Sequence, residues 1–460
     1  MIQHKPHMKF LKCLGLLSCI TFSSFVANAQ KTITIREALD QALRNNLQVK
    51  QAMYQSSLSA EDVLQAKMAL FPSLSGQIQG SKNWGLSFDQ TAGSLINTSV
   101  TSAGAGLSTD VVLFGGFQKI NQISANKYQL LSNESNVEKV KNDLVLSVVT
   151  KYLEAITNKD LTTAAQQQVA LSKTQLEAQR ANYEVGNKTL ADLSQAKSQL
   201  ATDELSLTTA QNSYDLSILD LKQLMEMNPV TDIVLEKPPL PDVEKLVSTY
   251  VAEEVYQSAV QKYPDIKVAQ LNTMVAKKNI DISKGGFYPQ LSIGAGYNTS
   301  YSSQAKRTIS LDPYIAEDIP FGRQLDQNRS RNIFAQLSIP IFDNYRRNIA
   351  VRKAKISYES ALNDELLAKN NLNKVVNQAV LDLRTAEKKY YSTEENFKSA
   401  TDAFEVLKQR YDVGLANAVE LSTQQTAMNK AQFDYIQARY DLIFKSKVID
   451  FYLGKPITFN

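Results

Sequence analysis

Histidine and cysteine are the side chains best suited to moving protons near neutral pH, attacking carbonyls and holding soft metals. In this 460-residue chain there are two of each, and all four lie near the start: His4, His7, Cys13 and Cys19. Lys5, Lys9 and Lys12 form a basic n-region, Leu14 to Val26 an apolar h-region, and Ala27-Asn28-Ala29 an A-x-A cleavage site. Residues 1–29 therefore read as a secretory signal peptide. Leu16-Leu17-Ser18-Cys19 loosely resembles a lipobox that would lipidate Cys19, but the apolar run before it is short and is interrupted by Lys12. Without the leader no His or Cys remains. A His general base, a Ser-His-Asp or Cys-His nucleophile, a disulfide and an N/S zinc site are then excluded. Carboxylates such as Asp143, Glu154 and Asp203 sit on helical faces and read as solvating charges. No cofactor and no metal are expected, and an enzyme is the least favoured class.

The formal net charge is +4 and three of those positive charges are leader lysines, so no nucleic-acid partner is inferred. Only 17 Gly and 12 Pro punctuate the chain, which implies long uninterrupted elements. After the leader no apolar run reaches the roughly 20 residues of a spanning helix. A secreted chain of this kind is periplasmic, extracellular or an outer-membrane β-barrel, whose short alternating strands hydropathy does not reveal.

An internal duplication organises the rest. Phe71-Pro72-Ser73-Leu74 returns as Tyr288-Pro289-Gln290-Leu291. Leu113-Phe114-Gly115-Gly116 returns as Ile341-Phe342-Asp343-Asn344, and Tyr183-Glu184-Val185-Gly186 as Tyr411-Asp412-Val413-Gly414, both 228 residues on. An equal offset across that span is expected of a continuous helix. The first pair is separated by eleven residues fewer, so the second half carries an insertion between Pro289 and Ile341. The expected layout is a first repeat over 30–227 and a second over 249–460, joined by a linker at 228–248 with Pro229, Pro238, Pro239 and Pro241.

Each repeat changes period. Segments 116–183 and 344–411 predict long helices, with shorter ones at 190–227 and 417–453 beyond a tip turn. Val376, Leu383, Tyr390, Phe397, Phe404 and Tyr411 recur every seven residues; Leu421, Met428, Tyr435, Leu442 and Ile449 continue after the turn, and Leu193, Leu200, Leu207, Tyr214 and Leu221 do the same in the first half. Such rows on both sides of a glycine turn predict antiparallel coiled-coil hairpins, with a plain helical bundle as the alternative. Four segments, about 73–88, 99–114, 289–303 and 330–342, alternate with period two. Leu74, Ile78, Trp84, Leu86 and Phe88 face one way, Ser73, Ser75, Gln77, Gln79 and Ser81 the other; Phe334 alone breaks the polar set of the last segment. They match membrane strands with a lipid face and a wet face, against a soluble sheet with one buried face. Phe71, Phe114, Phe117, Tyr288, Phe342 and Tyr345 sit where strands meet helices, as an interfacial girdle would. Four strands cannot close a barrel and lipid forbids an open edge, so the chain must oligomerise. A polar, Gly-rich inner face favours the open lumen of three copies over the filled interior of two. The expected fold is mostly α with a membrane β-barrel: a trimeric, twelve-stranded barrel, four strands per chain, continuing into a long helical coiled-coil barrel.

The strand entries Phe71-Pro72-Ser73-Leu74 and Tyr288-Pro289-Gln290-Leu291, the long Gly-free helices and the tips Tyr183-x-Val185-Gly186 and Tyr411-x-Val413-Gly414 together resemble the outer membrane efflux protein family, the TolC-type channels. The resemblance spans about Ile33 to Leu453. It implies a homotrimer in the outer membrane lipid of a Gram-negative cell, with its helical barrel in the periplasm. Its implied role is the exit duct of a tripartite efflux pump or type I secretion system, with a periplasmic adaptor (membrane fusion protein) and an inner-membrane transporter as partners. It also implies that the tips, at Val185, Gly186, Val413, Gly414 and Leu415, dock the adaptor; by themselves the glycines read equally as turn residues. A closed aperture in the family uses an Asp, a Tyr and an Arg. Asp192 and Tyr411 match, but Ala416 stands at the Arg position. Of two lumen carboxylate rings, Glu420 matches one and Thr423 replaces the other; Glu420 reads alternatively as a helix-start carboxylate beside the dipole. The competing functions are a passive porin, which would carry all strands in one chain, and a periplasmic scaffold or the adaptor itself. Lys306, Arg307, Arg323, Arg329 and Arg331 mark the insertion as a basic loop on the exterior, and an ordinary mobile loop is the reading taken.

Overall fold

The computed structural model describes residues 31–89, 94–239, 250–311 and 314–455. The leader, Cys19 and part of the proline-rich join lie outside them. The first half runs β1 (Lys31–Ile33), α1 (Ile35–Asn45), α2 (Leu47–Met68), β2 (Ser73–Asp89), β3 (Ser94–Gly115), α3 (Gln118–Glu184) and α4 (Leu190–Leu224). After β4 (Ile233–Leu235) the second half gives α5 (Ala252–Lys262), α6 (Pro264–Gly285), β5 (Gln290–Ser302), β6 (Lys306–Leu311), β7 (Tyr314–Asp318), α7 (Phe321–Gln327), β8 (Ser330–Ser338), α8 (Arg346–Asp412) and α9 (Ala418–Tyr452). The duplication is visible in the lengths. Helices α1 and α5 have 11 residues, α2 and α6 have 22, α3 and α8 have 67, and α4 and α9 have 35. At about 1.5 Å per residue each long helix extends roughly 100 Å. Among the described residues no helix is long and apolar enough to cross a membrane.

The membrane element is a four-stranded antiparallel sheet of order β2-β3-β5-β8. Its register places Leu74, Ile78, Ala105, Leu107, Val111, Ile293, Ala295, Ile333 and Leu337 on one face. Opposite are Ser73, Ser75, Gln77, Gln79, Ser102, Ser108, Asn298 and Asn332. Phe334 falls on this polar face because Gly294 lies opposite; a Cβ on Gly294 would meet its ring at 2.4 Å. A bulge between Val112 and Phe114 inserts one residue, so Phe114, rather than Leu113, pairs with Leu291 and continues the apolar face. The described residues of the second half's insertion form regular elements rather than a simple loop: β6 and β7 pair, and α7 is tied to β5. The Gln324 amide bonds the backbone of Ser302 and Ile319, and Asn328 donates to the Ser300 carbonyl at 2.7 Å. These amides substitute for a strand neighbour along residues 299–302 of β5, which β8 does not reach.

β3 runs into α3 through Gly116 and Phe117 alone, and β8 reaches α8 through residues 339–345. Gly116, Phe117, Asn344 and Tyr345, the two residues before each long helix, all have left-handed backbones that turn the chain into the helix axis. Helices α2 and α6 flank the upper part of α3, and α6 also touches α8: Asn133 donates to Ser59, Ser132 to Asn272 and Thr273 to the Ala361 carbonyl. Further down, α3 pairs with α4 and α8 with α9 as two antiparallel hairpins. The heptad rows are buried or half-buried throughout, from Val376 and Leu383 to Leu442 and Ile449. Midway along, β1 and β4 pair in parallel, so the proline-rich join is not a bare linker. The Tyr152 hydroxyl clasps this pair, donating within 2.9 Å of the Ile33 carbonyl and 2.6 Å of that of Glu236, beside a core of Val148, Ile156, Leu221 and Met225.

Gly116 and Gly186 separate two costs of adding a side chain. Both have positive φ, 60° and 79°, but a Cβ on Gly116 would sit 2.1 Å from the Gly285 carbonyl oxygen whereas one on Gly186 meets nothing. Gly186→Ala is expected to lose only the left-handed backbone penalty of about 1–2 kcal/mol. Gly116→Ala should lose clearly more and lower the yield of folded channel. Equal thermal stabilities of the two variants would refute this.

Candidate functional site

The two hairpin tips close by the same geometry. At the first, the Gly186 N–H donates to the Tyr183 carbonyl at 3.0 Å and that of Asn187 to Asn182 at 2.8 Å. At the second, Gly414 donates to Tyr411 at 3.0 Å and Leu415 to Arg410 at 2.8 Å. This is the Schellman pattern, and it needs the positive φ that Gly186 and Gly414 adopt. The next helices begin in capping boxes, Thr189 with Asp192 and Asn417 with Glu420. The turns leave apolar groups uncovered: Val185 and Val413 are each 70% exposed and Leu415 is 69% exposed.

Asp192 and Glu420 line one open crevice together with Gln195, Arg410 and Thr423. Both carboxylates also serve their own helix. Asp192 accepts from the Thr189 N–H at 3.0 Å and its hydroxyl at 2.8 Å; these bonds, backbone first, hold its carboxyl below the ordinary value of 3.8. Glu420 accepts from the Asn417 N–H at 3.4 Å. Tyr411 is buried and donates to Gln179 at 2.8 Å, so within one chain its hydroxyl partner is an amide and not Asp192. Burial pushes its phenol up, and the nearby Asp192 charge adds to this. The Lys188 ammonium stands 4.1 Å from the centre of its ring. Arg410, whose guanidinium donates to the Leu415 carbonyl at 3.3 Å, brings a cation into the crevice where Ala416 offers none. Lys188 and Arg410 belong to no motif or period in the sequence. The available signal was a basic residue in the last turn of α8, where cations meet orphan carbonyls.

A polar seam joins the first hairpin to α9. Asp203, read from the sequence as a solvating charge, is only 3% exposed, because α4 is covered by α3 on one side and α9 on the other. Its carboxylate accepts from Ser172 in α3, from Gln199 at 3.2 Å and from Asn429 in α9 at 3.4 Å. Gln425 donates to Ser172 at 3.0 Å, and Ser422 to Gln199 at 2.6 Å. Asp143 and Glu154 are exposed, as read. At the membrane end Phe71 and Tyr288 are also exposed, each preceding the proline, Pro72 or Pro289, that opens a strand.

A membrane sheet continued by paired coiled coils with bare apolar tips is the protomer architecture of a TolC-type outer membrane channel. The model of the outer membrane efflux protein family matches residues 38–225 and 255–455, and the chain belongs to that family. Among similar proteins, the outer membrane efflux protein BepC of Brucella suis is 21% identical over 95% of this chain and 89% of its own. The outer membrane protein TolC of Vibrio cholerae is 22% identical over 89% and 88%. The CmeC outer membrane channel of Campylobacter jejuni superposes with a TM-score of 0.75 at 16% identity, covering 91% of this chain and 85% of that one. The protein is thus a Gram-negative outer membrane channel, an exit duct of efflux or secretion systems.

The depressed Asp192 carboxyl sets a pH dependence. A group with a lowered folded value stabilises at pH above its ordinary 3.8, and this contribution is lost as pH falls through the depressed value. Hydrogen exchange of the first-tip amides, corrected for intrinsic rate, should therefore accelerate below about pH 4. Asp192→Asn should abolish that acceleration; a variant with an unchanged pH profile would contradict the assignment.

Proposed function

We propose that three copies close into one continuous duct and that its tips dock a periplasmic adaptor (membrane fusion protein) which joins it to an inner-membrane transporter. The observation that carries this reading is that sheet and helices end in the same two open edges. β2 and β8 each have one unpaired side. Below them α2 presents Tyr54 and Leu58, and α8 presents Ile356 and Leu366, all well exposed in a single chain. Because the four strands alternate in direction, β8 of one copy meets β2 of a rotationally related copy antiparallel. The contact is head-to-tail and propagates until a ring closes. Twelve strands leave a wet lumen matching the polar face of the sheet; eight would fill it.

The duct performs no chemistry in this reading. Its water-lined wall lets solutes cross without desolvation, and the energy comes from the transporter. Val185, Gly186, Val413, Gly414 and Leu415 form the adaptor-docking tips. Asp192, Tyr411 and Glu420 guard the periplasmic aperture, with Arg410 and Lys188 as their cations. Three symmetry-related Glu420 side chains would form a negative ring that attracts cations.

Exchanging Val185 and Val413 for Asp should abolish export, read as sensitivity of the cells to toxic solutes, while single-channel conductance in planar bilayers stays unchanged. Export at the original level would refute tip docking. Glu420→Gln should weaken block by multivalent cations in the same bilayers, and unchanged block would remove the ring.

A further inference from the structure

Two basic side chains stand on the face of the sheet that is otherwise uncharged and largely apolar. The register puts Lys82 in β2 on the side of Leu74, Ile78 and Trp84, and Arg331 in β8 on the side of Leu337, Ile333 and Tyr297. Each leans on an aromatic ring, Lys82 Nζ 5.6 Å from the centre of Trp84 and the Arg331 guanidinium 5.8 Å from that of Tyr297. Among the described residues neither has a carboxylate within ion-pair reach. The neighbouring Arg307 and Arg329 differ, being neutralised by Glu317 and Asp326.

Their height explains how two bare cations are tolerated there. Lys82 lies nine residues above the start of β2, and Arg331 seven above the end of β8. At about 3.3 Å per residue and a strand tilt near 40°, Lys82 stands roughly 23 Å and Arg331 roughly 18 Å up an apolar band about 25 Å tall, so that both long side chains extend to its outer surface. Both cations come from the exterior halves of their strands, and Trp84 and Tyr297 sit with them as headgroup-level aromatics do. When the duct closes, the β2 edge of one copy adjoins the β8 edge of the next. Lys82 with Trp84 and Arg331 with Tyr297 then flank one seam, and neither copy holds both halves.

We propose that each seam binds the phosphorylated headgroup of an outer-leaflet glycolipid, a site that rests on the trimeric closure inferred above. The guanidinium offers a phosphate two parallel N–H donors and the ammonium a point charge. The acyl chains would lie on Ile78, Ile333 and Leu337 below. A free phosphate would find the charge but not this apolar floor, so the lipid-borne anion is the occupant the surface favours.

The test uses the full-length channel in a neutral detergent, titrated with diphosphorylated lipid A and followed by native mass spectrometry. Lys82→Gln with Arg331→Gln should lower the apparent affinity about tenfold or more, the effect of losing charge-assisted contacts. Lys82→Arg should retain it, and Arg307→Gln, which alters a β6 cation already paired with Glu317, should leave it unchanged. A double variant that binds lipid A like the parent overturns the proposal. So does a parent that binds phosphatidylcholine equally well, or one from which equimolar inorganic phosphate displaces the lipid. The same spectra separate the two levels of inference. A trimer indifferent to lipid A refutes the lipid site alone, whereas a monomer refutes the closure and the site with it.

Discussion

A backbone N–H or C=O left unpaired in hydrocarbon costs several kcal/mol, and everything else in this structure follows from the two strand edges that would incur that cost. β2 and β8 each present such an edge, and no other described strand of the same chain pairs with them. The edges have to find each other on neighbouring copies. The helical layer below is cut along the same lines, with apolar side chains of α2 and α8 exposed at its margins. One rotation therefore completes both the barrel in the membrane and the tunnel beneath it.

Continuity between barrel and tunnel depends on a small number of backbone conformations. The bulge in β3 keeps Phe114 on the lipid side at the base of the sheet, and the paired left-handed residues after β3 and before α8 redirect the chain into the helices. Gly116 passes so close to Gly285 that neither tolerates a Cβ. Strand and helix then form one wall, with the aromatic residues at the junction where the membrane surface would lie.

Along that wall the packing changes character. Around the β1–β4 pair it is strongly apolar, with Tyr152, Ile156 and Leu221 essentially inaccessible. Towards the tips, the contact between the first hairpin and α9 is built from Ser172, Asp203, Gln199, Ser422, Gln425 and Asn429. Neutral hydrogen bonds exchange with water at a net cost of about 1 kcal/mol each and those to the Asp203 carboxylate at about 1.5–3 kcal/mol, while separating an apolar core forfeits its full burial. The packing therefore passes from an apolar waist to a polar seam nearer the tips.

Periodicity made most of the architecture legible beforehand. Seven-residue rows at Val376 to Tyr411 and Leu421 to Ile449 follow from helix geometry, and the alternation from Leu74 to Phe88 follows from strand geometry; each pattern is local. The repeated Tyr-x-Val-Gly tips were legible for the same reason, since only glycine accepts the turn's backbone without strain. Burial of Asp203 was not legible, because it depends on α9 arriving from more than 200 residues away to cover α4. Nor was the amide partner of Tyr411, or the arrival of Arg410 beside Asp192 and Glu420, since four helices meet there and the period of any one of them does not specify its polar partners. Local periodicity thus set out in the sequence alone a chain with His and Cys confined to its first 19 residues, patterned twice over as strands with a wet face and helices with a seam. Which polar side chains those seams enclose, and which cations stand on the lipid face, is set by the tertiary fold, because both depend on register between segments distant in the chain.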